Sequence, residues 1–190
     1  MKKFLAATAL LVLAGAASAG VATLNGSPQA GNGSVANPYD FGSLVLAPKF
    51  LRVDVAGSAG AHFEEYANFT IDALSDVRGS ANTYSLALDG IFGNEINNLL
   101  VEVFDNTHPN GNTLFASFTG NNVTNWLGTL AAGQYHIDIS GDFGPDAWGG
   151  QYSVALRAVP AAVPEPQTLA LMLAGMGLMG LMTRRRRSPV

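Results

Sequence analysis

The sequence predicts an all-β protein whose central part, residues 38–159, folds as an antiparallel β-sandwich. Apolar and polar residues alternate with a period of two in short runs, which places one face of each run in a core. The breaks between runs contain Gly, Asn, Asp or Pro, the residues that favour turns. The region shows no helical period sustained over three turns. The runs are residues 50–55, 68–74, 84–88, 99–104, 113–118, 135–139 and 152–156. Strands this short and closely spaced are typical of a sandwich.

The N-terminal residues 1–19 have the three parts of a signal peptide. Lys2 and Lys3 precede a predominantly apolar run, and small residues at Ala17 and Ala19 provide a cleavage site. We therefore expect the export machinery and signal peptidase to act on this chain, with the mature protein beginning at Gly20. The alternative, an uncleaved membrane helix, is disfavoured because the run is short and the cleavage site follows it directly.

Residues 20–37 are rich in Gly, Ser and Asn, contain Pro28 and show no periodicity. This composition predicts a flexible leader in front of the folded domain.

Two strands near the end of the domain begin with the same tripeptide, Gly133-Gln134-Tyr135 and Gly150-Gln151-Tyr152. We expect them to be adjacent antiparallel strands of one sheet. Small jelly-roll-like domains of secreted bacterial proteins often end in a similar way, and this resemblance concerns the fold alone, without a function.

Composition excludes several classes of protein. The chain has no cysteine, so disulfides, thiol catalysis and cysteine metal sites are ruled out. Between the two terminal segments there are four Lys and Arg residues against thirteen Asp and Glu residues, a net charge of about −9. A domain this acidic repels phosphate backbones, and we therefore expect no nucleic-acid partner.

The C-terminal segment, residues 160–190, consists of three parts in a fixed order. Val163, Pro164, Glu165 and Pro166 form an extended strip, because proline fixes φ and disfavours helix in the residue before it. Residues 168–183 are uncharged, and we expect a transmembrane helix there that anchors the protein only marginally, since sixteen residues span about 24 Å of a roughly 30 Å hydrocarbon core. A basic tail, residues 184–190, follows, and its arginines predict that the tail stays in the cytoplasm while the body faces outward. They are Arg184, Arg185, Arg186 and Arg187.

This three-part segment resembles the PEP-CTERM sorting signal of Gram-negative bacteria. The resemblance covers residues 163–190, from Pro164-Glu165-Pro166 through the apolar run to the arginines. It implies processing by a membrane protease, exosortase, and a link to exopolysaccharide and biofilm matrix. It also implies that the protein is anchored transiently at the inner membrane and ends at the cell surface or outside the cell. An ordinary tail anchor that is never cut is the alternative.

A weaker resemblance concerns residues 63–70, which are similar to the signature of the FxDxF group of PEP-CTERM proteins. Phe63 and the pair Phe69-Thr70 fit the signature, whereas Glu65 replaces its aspartate and Ala67 stands where its second Phe would be. The resemblance implies no defined biochemical role.

Few residues point to catalysis. His62 and Glu64 are two apart, so a strand places both side chains on one face, where they suit acid–base chemistry or a metal, or simply form a solvent-facing stripe. The sequence contains neither a His-Glu-x-x-His motif nor a Gly-x-Ser-x-Gly motif. We therefore expect no enzyme, with a secreted hydrolase as the least favoured hypothesis.

Two features suggest a ligand-binding module instead. Asp138, Asp142 and Asp146 recur every four residues beside glycines, a pattern that suits a calcium-binding loop or a plain turn. Trp148, in a glycine-rich loop, is a candidate for stacking on a sugar, together with Trp126 and with tyrosines at strand starts. The favoured function is a structural or interaction protein of the surface or matrix, and a carbohydrate- or calcium-binding module is the alternative.

Overall fold

The computed structural model describes residues 21–88, 92–106, 113–161 and 166–185. The chain divides into two compact units, Met1–Pro160 and Ala161–Val190. In the first unit the described elements are strands. In chain order they are β1 Ala22–Leu24, β2 Ser27–Pro28, β3 Tyr39–Ser43, β4 Lys49–Ala56, β5 His62–Ile71, β6 Ser75–Tyr84, β7 Leu86–Leu88, β8 Phe92–Asn94, β9 Ile96–Asp105, β10 Leu114–Thr119, β11 Asn125–Leu130, β12 Gly133–Phe143 and β13 Ala147–Pro160.

The strands form two sheets. The larger sheet has eight strands, six of them in the order β11-β6-β13-β4-β1-β2, with β8 pairing with β13 and β7 with β8. The smaller sheet has five strands in the order β10-β9-β12-β5-β3. Nearly all pairs are antiparallel, and the exceptions are β3 with β5 and β8 with β13. The fold class is thus mostly β in two sheets, as the period-two runs predicted.

Side chains from the inner faces of the two sheets form one core. Alternation on β4 buries Leu51, Val53 and Val55, while on β12 it buries Ile137 and Ile139. Burying a side chain of this size stabilises the fold by about 1.5–3 kcal/mol. Aromatic rings connect the two sheets across the core: the ring of Phe63 on β5 lies 5.9 Å from the ring of Tyr152 on β13.

Residues 21–37 are structured, so the prediction of a flexible leader was wrong. β1 and β2 form a hairpin that extends the edge of the larger sheet, where β1 pairs with β4. The turn between them is Asn25-Gly26, with φ values of 49° and 82°. Positive φ at both central residues defines the type I′ turn, for which Asn-Gly is the favoured sequence. Ala22 is buried in the core, which anchors the hairpin.

The two strands that begin with Gly-Gln-Tyr belong to different sheets, which corrects the expectation that they pair. β12 pairs with β5 and β9 in the smaller sheet. β13 pairs with β4 and β6 in the larger sheet. Each strand is therefore central in its own sheet, with both of its hydrogen-bonding edges occupied. The short loop between them carries the chain from one sheet to the other.

Several strands were not predicted: β1, β2, β6, β8 and β11 of the larger sheet, and β3 of the smaller sheet. β6 reads Ser-Asp-Val-Arg-Gly-Ser-Ala-Asn-Thr-Tyr, in which only Val77 and Ala81 are apolar residues on the inner face. Gly79 lies between them, and a Cβ there would come within 3.0 Å of Leu127 and Leu156. Side chains from neighbouring strands thus pack over the inner face of β6. The sequence of β6 itself is too polar to show the alternation that predicts a strand.

The second unit contains one helix, α1, over Pro166–Arg185. No helix in the described ranges is long and apolar enough to cross a membrane. The helix includes residues 168–183, where the sequence predicted one. The transmembrane span predicted for the same residues is not found.

Candidate functional site

The core of the sandwich contains a carboxyl group, that of Glu65 on β5. Alternation along β5 points Phe63, Glu65 and Ala67 inward, and Glu65 is only 4% exposed. Tyr39 on β3 donates its hydroxyl to Oε1 of Glu65 at 3.1 Å. Tyr152 on β13 donates its hydroxyl to Oε2 in a short hydrogen bond. Glu65 thus joins two strands of the smaller sheet to the central strand of the larger one.

The ionisation of this cluster follows from its burial. Burial raises the pKa of Glu65, although the hydrogen bonds from Tyr152 and Tyr39 act in the opposite direction. Burial also raises the pKa of Tyr39 and of Tyr152, and the neighbouring Glu65 adds to both shifts. All three groups are therefore biased toward their neutral forms, which suits a carboxyl group surrounded by apolar side chains.

This cluster is enclosed in the core and links the two sheets by hydrogen bonds. Sequence reasoning considered Glu65 only as the counterpart of the aspartate in the FxDxF signature and missed its inward orientation. The signal that would have revealed it is the spacing of Phe63, Glu65, Ala67 and Phe69, four alternate positions of which three are apolar. The positions that resemble the FxDxF signature are consequently positions of the core.

His62 and Glu64 lie on the opposite face of β5, exposed on the outer surface of the smaller sheet. Nδ1 of His62 is 2.8 Å from Oδ1 of Asp142 on the neighbouring strand β12. Asn98 donates its amide to Oδ2 of the same carboxylate at 3.0 Å. These hydrogen bonds from Asn98 and His62 lower the pKa of Asp142. The His62–Asp142 pair orients the imidazole, but the described residues place no hydroxyl in hydrogen-bonding contact with His62.

The three aspartates considered for calcium are not brought together. Asp138 and Asp142 both face outward on β12, four residues apart, which is about 13 Å along a strand. Asp146 is exposed in the loop that follows β12. Within the described ranges, no group of three His, Asp or Glu side chains is placed to hold a metal ion. The three residues therefore do not form one set of ligands.

A row of acidic groups crosses the outer face of the smaller sheet. Asp138 is directly opposite Tyr66 on β5 and Glu102 on β9. Burial, a hydrogen bond with Glu64, and the charges of Glu64 and Asp138 raise the pKa of Tyr66 to about 12. This face is therefore negatively charged around a neutral phenol.

The candidate aromatic platform is divided between core and surface. Tyr135 and Tyr152 are buried, while Trp126 and Trp148 are 65% and 71% exposed. Trp126 on β11 lies beside Arg78, which is opposite Arg157 on β13. Trp148 is nine residues from Arg157 along β13, about 30 Å in an extended strand. The two tryptophans therefore cannot contact one sugar ring together.

Most residues of the two terminal signals lie outside the described residues. These are Ala17 and Ala19 of the cleavage site, Val163, Pro164 and Glu165 of the sorting motif, and Arg186 and Arg187 of the basic tail. Pro166 is the first residue of α1, and Arg184 and Arg185 are the last. The helix therefore begins at the last proline of the motif, a residue type favoured in the first turn of a helix.

Comparison with known proteins identifies the C-terminal segment. The family model of the PEP-CTERM protein-sorting motif matches residues 162–187. No curated protein matches the chain. The match covers the proline motif, the helix and the arginines, and it confirms the resemblance found in the sequence. The chain thus carries a PEP-CTERM sorting signal, which suggests processing by exosortase and export to the cell surface.

Proposed function

We propose that this chain is an exported surface or matrix protein that exosortase processes at its PEP-CTERM signal, and that its β-sandwich has a structural or interaction role beside exopolysaccharide. The observation that carries the proposal is the match of residues 162–187 to the sorting motif. In this proposal signal peptidase removes residues 1–19, and the sorting segment directs the folded domain outward.

We further propose that the domain acts by binding and not by catalysis. Among the described residues, Glu65 has the most buried carboxyl group. Tyr39, Tyr152 and the core enclose it, out of reach of a substrate. The His62–Asp142 pair is solvent-exposed on a sheet face. A sandwich with two solvent-facing sheets offers broad surfaces for contact with a matrix.

Transient association with the inner membrane belongs to the same proposal. Its support is the uncharged run of residues 168–183, followed directly by four arginines. Exosortase is a membrane protease, so an apolar segment next to the cleavage motif would hold the substrate near the enzyme. The arginines would keep the tail on the cytoplasmic side.

The test is the intact mass of the protein, combined with fractionation, in a host with and without exosortase. We expect a mass corresponding to Gly20 up to about Pro166 only when exosortase is present, in the surface or extracellular fraction. A variant with Pro164→Ala and Pro166→Ala should keep its tail in both hosts. The matched control is Pro160→Ala, a proline just before the motif, which should be processed normally.

A tail that persists in both hosts would contradict the proposal, and the protein would then be an ordinary outward-facing anchored protein. Processing of the double proline variant at the normal rate would show that the motif is not what the protease recognises. Either result leaves the fold of residues 21–160 unaffected.

A further inference from the structure

Positive charge in the β-sandwich is confined to one sheet. The domain has four basic residues, of which Lys49 and Arg52 are on β4, Arg78 is on β6 and Arg157 is on β13. All of these strands belong to the larger sheet, whereas the outer face of the smaller sheet carries the row of acidic groups. Of the four, Arg52, Arg78 and Arg157 occupy outward-facing positions, beside Asp54 and Asp76, so the described strands of this face carry a small excess of positive charge. Lys49 shares the inward-facing side of β4 and donates to the carbonyl oxygen of Phe41.

Two of these basic residues form a like-charged pair. Arg78 and Arg157 are directly opposite each other on adjacent antiparallel strands. In the described part of the chain, neither guanidinium has a carboxylate oxygen within 4.0 Å. Like charges directly opposite each other destabilise a sheet. A bound anion that contacts both guanidinium groups would remove this repulsion.

Arg52, on the same face, differs in having intramolecular partners. Its guanidinium donates to the side-chain oxygen of Gln151 and lies over the ring of Tyr84, 5.6 Å from its centre. Arg52 is therefore held by the sheet itself, and it provides a matched control for the Arg78–Arg157 pair.

The arginine pair borders an open depression of about 250 Å³. Its lining includes the two arginines, Phe50, the hydroxyl-bearing side chains Ser80 and Thr124, and Ala155. Phe50 is 53% exposed, and Trp126 lies on the far side of Arg78 on the neighbouring strand. The depression thus combines paired guanidinium groups, hydroxyl groups and the exposed ring of Phe50, and Trp126 is next to it on the neighbouring strand.

We infer that this depression binds a carboxylate-bearing sugar unit of an acidic polysaccharide. The planar guanidinium forks match a carboxylate, to which they donate paired hydrogen bonds. Ser80 and Thr124 suit the hydroxyl groups of a sugar, and the rings of Phe50 and Trp126 suit its apolar face.

Charge favours this ligand over a nucleic acid. Duplex DNA carries one negative charge per about 1.7 Å, and the domain that surrounds the depression is strongly acidic. A polysaccharide with one carboxylate per sugar unit carries fewer negative charges per unit length than duplex DNA, so it can satisfy two arginines while bringing less charge against the acidic remainder. This inference deepens the proposed interaction role, since it assigns that role a site and a class of ligand.

The test is calorimetric titration of the full chain with sodium polygalacturonate at low salt. Dextran of matched length serves as the neutral polymer, and a DNA duplex as the competing polyanion. We expect binding of polygalacturonate, at least tenfold weaker in the Arg78→Gln/Arg157→Gln double variant and several-fold weaker in Trp126→Ala. Arg52→Gln should bind within twofold of the native chain. Because all four positions are on the surface, circular dichroism should show unchanged folding.

Three results would overturn the inference: no binding of polygalacturonate by the native chain, equal binding by the double variant, or DNA binding as tight as polygalacturonate binding. Weakening by Arg52→Gln equal to that of the double variant would also overturn it, because the attraction would then be unspecific. None of these results depends on exosortase. Failure here is therefore distinguishable from failure of the processing experiment.

Discussion

Removing one hydroxyl group from the buried cluster, by Tyr152→Phe, should measurably destabilise the sandwich. Tyr152 is fully buried on β13, and its hydroxyl donates to Oε2 of Glu65 on the opposite sheet. Phenylalanine keeps the ring and its contact with Phe63, so the perturbation is confined to a single donor. Oε2 of Glu65 would then remain buried without that donor.

The size of the effect follows from the cost of an unsatisfied buried polar group. Leaving one partner of a buried hydrogen bond unpaired costs about 1–3 kcal/mol. Tyr39 still donates to the other oxygen of Glu65, so the loss should not exceed this range. We therefore expect the free energy of unfolding to fall by about 1–3 kcal/mol.

The assay is urea unfolding of the full chain, followed by far-ultraviolet circular dichroism at neutral pH. Tyr84→Phe is the matched control, because the Tyr84 hydroxyl lies at the surface and its hydrogen bond with Oγ of Ser153 is long, at 3.3 Å. A surface change of this kind should stay within about 0.5 kcal/mol. A loss for Tyr152→Phe no larger than that of the control would refute the view that the cluster holds the two sheets together.

Two further predictions concern Glu65 and the first hairpin. Burial raises the pKa of folded Glu65 above its usual value near 4.5, so its stabilising contribution is complete below that pH and is lost as the pH rises through the folded pKa. The side chain of the variant Glu65→Gln does not titrate, so thermal unfolding scans should show a smaller loss of stability over this pH range. Parallel curves of stability against pH for the two proteins would contradict the burial argument. Gly26→Ala should cost about 1 kcal/mol or more, because Gly26 has a φ of 82° in the Asn25-Gly26 turn. Gly133→Ala is the control, because its new Cβ would meet only the Tyr135 ring, at 3.6 Å. Equal losses of unfolding free energy for the two variants in urea would show that the turn is not the cause of the destabilisation.

Strands with a clear period of two could be predicted from their own residues. The run at residues 50–55 lies within β4, and the run at 152–156 lies within β13, because each has an apolar face that a core must cover. β6 lacked this signal, since its inner face is Val77, Gly79 and Ala81, and its neighbours supply most of the apolar contact. The hairpin of residues 22–28 had a readable signal, Asn25-Gly26, which the Gly- and Ser-rich composition concealed.

The candidate sites were less predictable than the strands. Asp138, Asp142 and Asp146 are close in sequence, but an extended strand separates Asp138 from Asp142 by about 13 Å, and Asp146 lies in the loop after that strand. Arg78 and Arg157 are distant in sequence, and only the pairing of β6 with β13 brings them opposite each other. Sequence spacing therefore suggested a cluster where the fold has none, and it gave no indication of the pair that the fold creates.

The sequence by itself determined the sorting segment and the β class of the domain. Both depend on local order along the chain: a proline motif, an apolar run and arginines in succession for the first, and alternation of apolar residues for the second. The tertiary structure alone decided which strands share a sheet, that Glu65 lies between two tyrosines, and that the basic residues gather on the larger sheet. The physical reason is that these features arise from pairing and packing between residues far apart in sequence, such as Glu65 and Tyr152, which local patterns do not encode.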